Sequence, residues 1–522
     1  MAYRFYYYVH DGEDKQSSRR HRGKWKVLVH KYVMNAISKI VASGVSFISL
    51  MVMTRYVGDQ YGIMMWGMSF VAVFNAVSDL GFHTANIKSV AEGRDQNACF
   101  SSYFAVKMIL TAIMVVVSVI SISISAMGGH VERETLQVVA IFIAYFVVQN
   151  LQTVMTGMFD GRIESGKSSL VFMTEYVSRS IILIVLALMQ VSVTVLSSAY
   201  LAGTLVSLAM TILFFRRPKV TFVRPKYIRE YAMFAAPLSV SMVLLSALSY
   251  LDKVLVGIYD GSLEVGYYAA AMGVVWAFTS FGDSLNRIIL PHLSKYDLYD
   301  KESGAEEVIW RSEKYMAMLI FPLVAMLMVL GPELSIILFG AGYSQAGVIL
   351  SYHSVLIAAF VFTGILSQVL YAANKASLYG KAVVTFSAIT VVCYAVLIPD
   401  EILGIRMLNL GGVGAALSLS IGYVFLTVLI AYLIRSTVGI RTYKGFWKHL
   451  ASLILTVAIL FAFTYFVNVS GIWMVMLTAL LCVSLYVGMI FVAGELSRED
   501  VRFVLDAINP KKIRDSLSEE MR

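Results

Sequence analysis

Charge is scarce in this 522-residue chain: Asp, Glu, Lys and Arg make up 14% of it, whereas 58% is apolar. A water-soluble domain averages nearer a quarter charged residues, so the deficit excludes an ordinary globular enzyme and points to a polytopic membrane protein. The mean hydropathy of +0.74 agrees. Proline is sparse too, with eight residues and none before Pro218. The first 217 residues therefore contain nothing that must interrupt a helix. With 36 glycines, the composition is not that of a disordered linker. The three cysteines, Cys99, Cys393 and Cys482, have no paired spacing, so neither a disulfide framework nor a zinc site is implied. A phosphate-binding glycine loop, an H-x-x-x-H pair, a G-x-S-x-G elbow and a glycosyltransferase-like soluble block are all missing. No catalytic residue, cofactor or metal is expected.

What is present is a succession of apolar runs. They fall near 32–54, 62–84, 101–126, 136–158, 168–190, 193–215, 231–257, 265–290, 315–338, 345–372, 379–399, 409–434, 449–467 and 472–494. About 20 residues at 1.5 Å each cross a hydrocarbon core of roughly 30 Å, so 14 transmembrane helices are predicted. Residues 1–31 form a basic tail with Arg19, Arg20, Arg22, Lys24 and Lys26 clustered before the first run. The tail is too charged for a signal sequence, and no small-residue cleavage site follows, so the first helix is expected to be retained. Such a cluster beside a membrane entry point reads as an anchor to anionic lipid, not as a nucleic-acid surface. Residues 216–230 form a basic connector, and 495–522 a polar tail expected to lie on the inner surface.

Thirty-five of the 42 lysines and arginines fall in segments on one side of this layout and three in loops on the other. That bias predicts a multi-pass protein of the cytoplasmic membrane with both termini inside. An even number of spans per half gives both halves one orientation, related by an axis along the membrane normal, with a path between them. Two segments support a repeat. TRYVGDQYG ends the first run, and DKVLVGIYDGSLEVGYY joins the seventh to the eighth; in each a cation precedes a glycine, and a second glycine beside a tyrosine opens the next helix. The halves are expected at 32–215 and 231–434, with 435–494 as two extra helices.

The same stretches carry a family resemblance. VGDQYGIMMWGMSF with SDLGF, LDKVLVG with VGYYAAAMGV and LPHLSK, and LFGAGYSQAGVILSYHSVLIAAFVFTGILSQVLYAANK resemble polysaccharide exporters and oligosaccharide-lipid flippases. These belong to the multidrug/oligosaccharidyl-lipid/polysaccharide exporter superfamily. The likeness spreads over roughly residues 30–435. It implies two six-helix lobes and a lipid-linked oligosaccharide or polysaccharide precursor as cargo, with membrane lipids and glycosyltransferases of the same pathway as partners.

Charges inside the runs mark candidate sites, because each costs on the order of 3 kcal/mol at the bilayer centre. Lys39, Asp79, Asp283 and Arg287 fall in the third nearest the cytoplasm. Arg179 falls near the midplane with Glu175 one turn below, and Arg55, Asp252 and Lys253 fall at the outer rim. Glu175–Arg179 and Asp283–Arg287 have the i,i+4 spacing that puts acid and base on one helix face. Self-neutralising pairs that merely hold helices together would have the same spacing. Snorkelling explains Lys39 equally well, as does pairing with Asp79; headgroup contact explains the rim residues. Pro237, inside the seventh run, is a candidate hinge, as a static kink would also be. Interior cations suit an anionic phosphate or pyrophosphate head. A multidrug or organic-cation antiporter of the same fold is the first alternative, and it would rest on unpaired acids. A membrane-embedded glycosyltransferase or polymerase is the second, disfavoured by short outer loops. A non-transporting scaffold is a third, disfavoured by so many interior charges.

Overall fold

In the computed structural model the described residues are 15–128, 132–216, 220–300, 303–497 and 500; side chains are described from 35 onward, except at 36, 237–238, 280–281 and 283–288. The described chain is helical nearly throughout. Within hydrocarbon no water satisfies backbone groups, so an apolar run of this length resolves into helix. The helices are α1 (Lys15–Tyr56), α2 (Gly58–Asn75), α3 (Phe82–Ala91), α4 (Gln96–Met127), α5 (Arg133–Gly161), α6 (Ser165–Leu188), α7 (Val193–Phe215) and α8 (Ile228–Tyr259). They continue as α9 (Ser262–Leu293), α10 (Ala305–Phe339), α11 (Ser344–Ala372), α12 (Ala376–Leu397), α13 (Gly411–Thr437), α14 (Phe446–Phe466) and α15 (Gly471–Val492). Among the described residues, thirteen stretches are apolar and long enough to span a bilayer. The 32-residue α9 lies between two of them, where the eighth run was expected.

Two expectations about helix continuity fail. The run near 62–84 is not one helix: α2 gives way to a 3-10 turn at Ala76–Ser78, and Leu80 and Gly81 take φ of +51° and +87°. Asp79 Oδ1 then accepts the His83 backbone N–H at 2.9 Å and restarts the chain as α3. Nor does the eighth run stop at Pro291, because α9 continues to Leu293, just as α10 continues through Pro322 and Pro332. Neighbouring helices make interior prolines tolerable in a membrane.

Helices α1–α7 pack among themselves, as do α8–α13, while α14 and α15 pack on α10. One end of the bundle carries the turns around 92–95 and 162–164 and the segment 220–227, and is termed the connector face. The other carries the turns at 189–192, 260–261 and 340–343, and is termed the far face. There α12 and α13 are joined by a small hairpin, β1 (Glu401–Ile402) and β2 (Ile405–Arg406), with Leu403 and Gly404 at positive φ in its turn.

The two helix groups meet where α2 crosses α8 and α9 near the far face. Glycines allow this: a Cβ on Gly62 would lie 1.8 Å from the Ser262 carbonyl oxygen, and one on Gly257 1.9 Å from the Trp66 ring. Tyr343 donates its hydroxyl to Gly58 O at 2.8 Å, and Trp66 Nε1 donates to Val254 O at 3.3 Å. At the connector face the arrangement differs. Backbone N–H groups of Thr221, Val223, Lys226 and Tyr227 donate to Asn97 Oδ1, Ser101 Oγ and Ser102 Oγ at 2.9–3.0 Å. Arg94 pairs with Glu230, and Tyr231 donates to Asn86 Oδ1 at 3.3 Å. The connector and the first turns of α8 are thus clasped to α3 and α4.

Candidate functional site

Arg179 projects from α6 and is buried, its guanidinium carbon 4.2 Å from the ring centre of Tyr176 and 4.6 Å from that of Tyr200 on α7. Cation–π contacts of this kind contribute about 2 kcal/mol when desolvated. Glu175, one turn away, is also buried, yet its Oε1 stays 4.0 Å from Arg179 Nη1 and accepts from Thr204 Oγ1 at 3.3 Å. The pair is therefore loose, far from the two parallel bonds at under 3 Å that an arginine fork can make with a carboxylate. Gly203 makes room: a Cβ there would lie 2.7 Å from Arg179 Cβ and 3.0 Å from its Cα. Tyr145 on α5 packs edge-on against Tyr200, with ring centres 5.8 Å apart.

Asp252 and Lys253 are enclosed by neighbouring helices and not exposed to headgroups. Asp252 has no exposed surface. Its Oδ1 accepts from the Lys253 backbone N–H at 2.7 Å and from Lys253 Nζ at 3.0 Å, and its Oδ2 accepts from Tyr268 on α9 at 2.7 Å. Lys253 Nζ also donates to Ser249 O at 3.0 Å and lies 5.8 and 5.5 Å from the Tyr250 and Tyr268 rings. Headgroup contact cannot explain a carboxylate so enclosed. Position along a run gives depth but not exposure, which neighbouring helices decide. Arg55, by contrast, is exposed at the far face and donates to Leu338 O at 3.2 Å and to Ile337 O. It caps the last turn of α10, where the helix dipole favours a cation.

Lys39 lies on the exposed side of α1. Asp79 occupies the break between α2 and α3, half-buried. Asp283, Arg287 and Pro237 lie on α9 and α8, but their side chains are outside the described residues. Lys107, within the run near 101–126, was not among the candidates read from the sequence. It is buried in α4, donating to Ser78 Oγ at 3.2 Å; Ser78 donates to Asn150 Oδ1, and Asn150 to Asn75 Oδ1. Its place six residues inside a helical run, opposite polar Asn75 and Ser78, was the available signal. The tyrosines around Arg179 were also missed, since aromatic residues in a span read by default as lipid-facing filler. Among the described residues no cluster of His, Cys, Asp and Glu could hold a metal ion.

A mostly helical multi-pass fold with thirteen spans among the described residues defines the chain as an integral membrane protein. The chain belongs to the polysaccharide biosynthesis protein family, whose pattern it matches over residues 28–297. It is similar to the probable low-salt glycan biosynthesis flippase Agl15 of Haloferax volcanii, with 22% identity over 447 residues, covering 83% of this chain and 89% of the relative. Among solved structures, the lipid II flippase MurJ in an inward closed conformation superposes with a TM-score of 0.71 at 13% identity, covering 88% of this chain and 99% of that one. An inward-facing multidrug resistance MATE family transporter gives 0.54 at 14% identity, over 78% and 94%. These likenesses show the fold, an all-α one shared with those transporters.

Proposed function

We propose that the protein is a flippase that moves lipid-linked oligosaccharide or polysaccharide precursors across the cytoplasmic membrane by alternating access. The observation that carries this reading is Arg179, a buried cation held by tyrosines and only loosely matched by Glu175. An anion entering the site can displace Glu175, because Thr204 still donates to that carboxylate. A planar guanidinium suits phosphate oxygens. Family membership and the glycan flippase relative support the cargo class. The organic-cation alternative fits less well, since Glu175 and Asp252 each have a basic partner. The role assigned is transport without catalysis, with Lys39, Asp79, Asp283 and Arg287 along the path and Pro237 as the hinge of α8. Residues 32–215 and 231–434 act as the two lobes, both termini are cytoplasmic, and glycosyltransferases of the pathway supply the cargo.

The test is a series at Arg179. Arg179→Lys keeps the charge and loses the fork, so transport falls; Arg179→Gln abolishes it, with membrane levels of the protein little changed. Glycan precursor accumulating on the cytoplasmic leaflet is the readout. Full activity in the double variant Glu175→Gln/Arg179→Gln, which leaves no buried charge unpaired, would show the pair to be structural and would sink the assignment.

A further inference from the structure

We infer that the hairpin joining α12 to α13 is a lipid-docking element, its apolar tip seated at the boundary between headgroups and acyl chains in the leaflet on the far-face side. Leu403 at the tip is 97% exposed, more than any other large apolar side chain among the described residues, and Ile405 and Leu408 follow at 64% and 57%. Both central residues of the turn, Leu403 and Gly404, take positive φ, +52° and +84°. Two-residue turns of that kind favour Asn-Gly, because asparagine tolerates the left-handed region and leucine is strained there. A leucine that strains its turn and faces outward does nothing for the fold. What it offers is apolar surface. The register adds a direction, pairing Glu401 with Arg406 and Ile402 with Ile405. Successive residues of a strand point to opposite faces, so the hairpin has one charged face and one apolar face.

The place of the hairpin in the fold identifies the occupant. The 22 residues of α12 span about 33 Å, so the far end of that helix lies at the edge of a hydrocarbon core of about 30 Å. Val392 and Val396 are exposed one turn apart on α12, as are Ile421 and Val424 on α13. On a transmembrane helix such a stripe faces lipid. The hairpin continues it. Leu408 N–H donates to Val396 O at 3.1 Å, and the N–H groups of Met407, Asn409 and Leu410 donate to Asp400 O, Pro399 O and Leu397 O at 2.8–2.9 Å. The return strand is thus stitched to the last turn of α12. Leu403 lies four residues beyond Pro399, a reach of about 13 Å at 3.3 Å per residue, which keeps it close to the interface. A soluble partner needs roughly 800 Å² of matched surface, more than this tip provides. A glycan needs hydrogen-bonding groups that leucine and isoleucine lack. Lipid asks only for apolar area.

The inference concerns the bilayer and not the cargo, so its failure leaves the flippase reading standing. The test uses the full-length protein in lipid nanodiscs, with nitroxide labels on single introduced cysteines. Cys99 and Cys482 are buried, and Cys393 is replaced by serine. Collisions with oxygen, which concentrates among acyl chains, are compared with collisions with a water-soluble nickel chelate. Val424→Cys on the lipid-facing stripe and Gln190→Cys on another exposed far-face turn are the references. Labels at Ile405→Cys and Leu408→Cys should give oxygen-to-nickel ratios close to the Val424 value. Adding Leu403→Asn to Ile405→Cys should lower the seated population relative to the unseated one about 10-fold, as the loss of one buried leucine requires, and move the ratio to the Gln190 value. Asparagine suits this turn, so the thermal midpoint should hold or rise, which separates the shift from unfolding. Leu403→Met, which keeps an apolar side chain, should leave the ratio unchanged. Ratios at the Gln190 value with Leu403 in place would overturn the inference, as would a ratio that Leu403→Asn does not move. Labels shielded from both reagents would overturn it too, because protein and not lipid would then cover the tip.

Discussion

Gly62→Ala should hold the far face open. The added Cβ would sit 1.8 Å from Ser262 O, 2.7 Å from Ser262 C and 3.1 Å from Gly266 N. All three atoms are backbone, so no rotamer change relieves the clash, and α2 must retreat from α9 by about 1.6 Å to reach ordinary contact at 3.4 Å. That retreat forfeits the Tyr343–Gly58 and Trp66–Val254 hydrogen bonds across the same seam. At about 1 kcal/mol each, the loss is about 2 kcal/mol, which moves a two-state population roughly 30-fold. Spin labels at Gln190 and Leu403, exposed on far-face turns of the two groups, read the separation by double electron–electron resonance. A longer distance should dominate in the variant. Gly44→Ala, whose Cβ meets no atom within 4 Å, is the control. A variant that folds and keeps the wild-type distance distribution would refute the view that these glycines set the closure.

Arg55→Gln should lower the thermal midpoint slightly, by the equivalent of about 1 kcal/mol or less, and the difference should shrink in 1 M salt, because the lost contact is a screened helix-end cation. Burial raises the Glu495 and Asp500 carboxyls, but Lys448 and Tyr443 for the first, and Lys314 and Ser497 for the second, outweigh it and leave both below their ordinary 4.5 and 3.8. Groups depressed in the folded state stabilise above their unfolded values and lose that contribution as pH falls through the folded ones. A spin label at Lys444 should therefore stay immobile from pH 8 to 5 and loosen only below about pH 4; loosening between pH 7 and 5 would contradict the pairing. Reporters fused after Arg217 or Ser436 should remain cytoplasmic, and one inserted at 258–264 should face outside; a cytoplasmic signal from the last would break the topology.

The span pattern was legible because hydrocarbon leaves the chain few alternatives to helix, and the thirteen apolar stretches long enough to span a bilayer coincide with thirteen of the expected runs. The break at Asp79–Gly81 was hidden for the same reason. Leu80 is apolar and extends the run on any hydropathy count, while its left-handed conformation is fixed by the Asp79 cap and by the fit of Gly81 against Ala235 and Met242. At the site, Glu175 and Arg179 could be paired from spacing within one helix. The partners from other helices (Thr204, Tyr200, Gly203) could not, since nothing in the order of residues states which helices adjoin. Asp252 was misjudged on that ground, because Tyr268 encloses it from α9.

The clasp between residues 221–227 and the start of α4 separates two boundaries that are easily taken as one. As the repeat expected from the sequence divides it, the second half of the chain begins at the connector. As a unit of movement, on the alternating-access proposal, it begins about two turns into α8, beyond Tyr231, which donates to Asn86 of α3, and Ala235, which lies beside Gly81. Lengthening the connector with a flexible insert would therefore not uncouple the halves. Any rocking between them has to be taken up within a continuous helix, in the stretch between the clasp and Asp252, and a helix bends about a definite axis where a loop would let the halves drift.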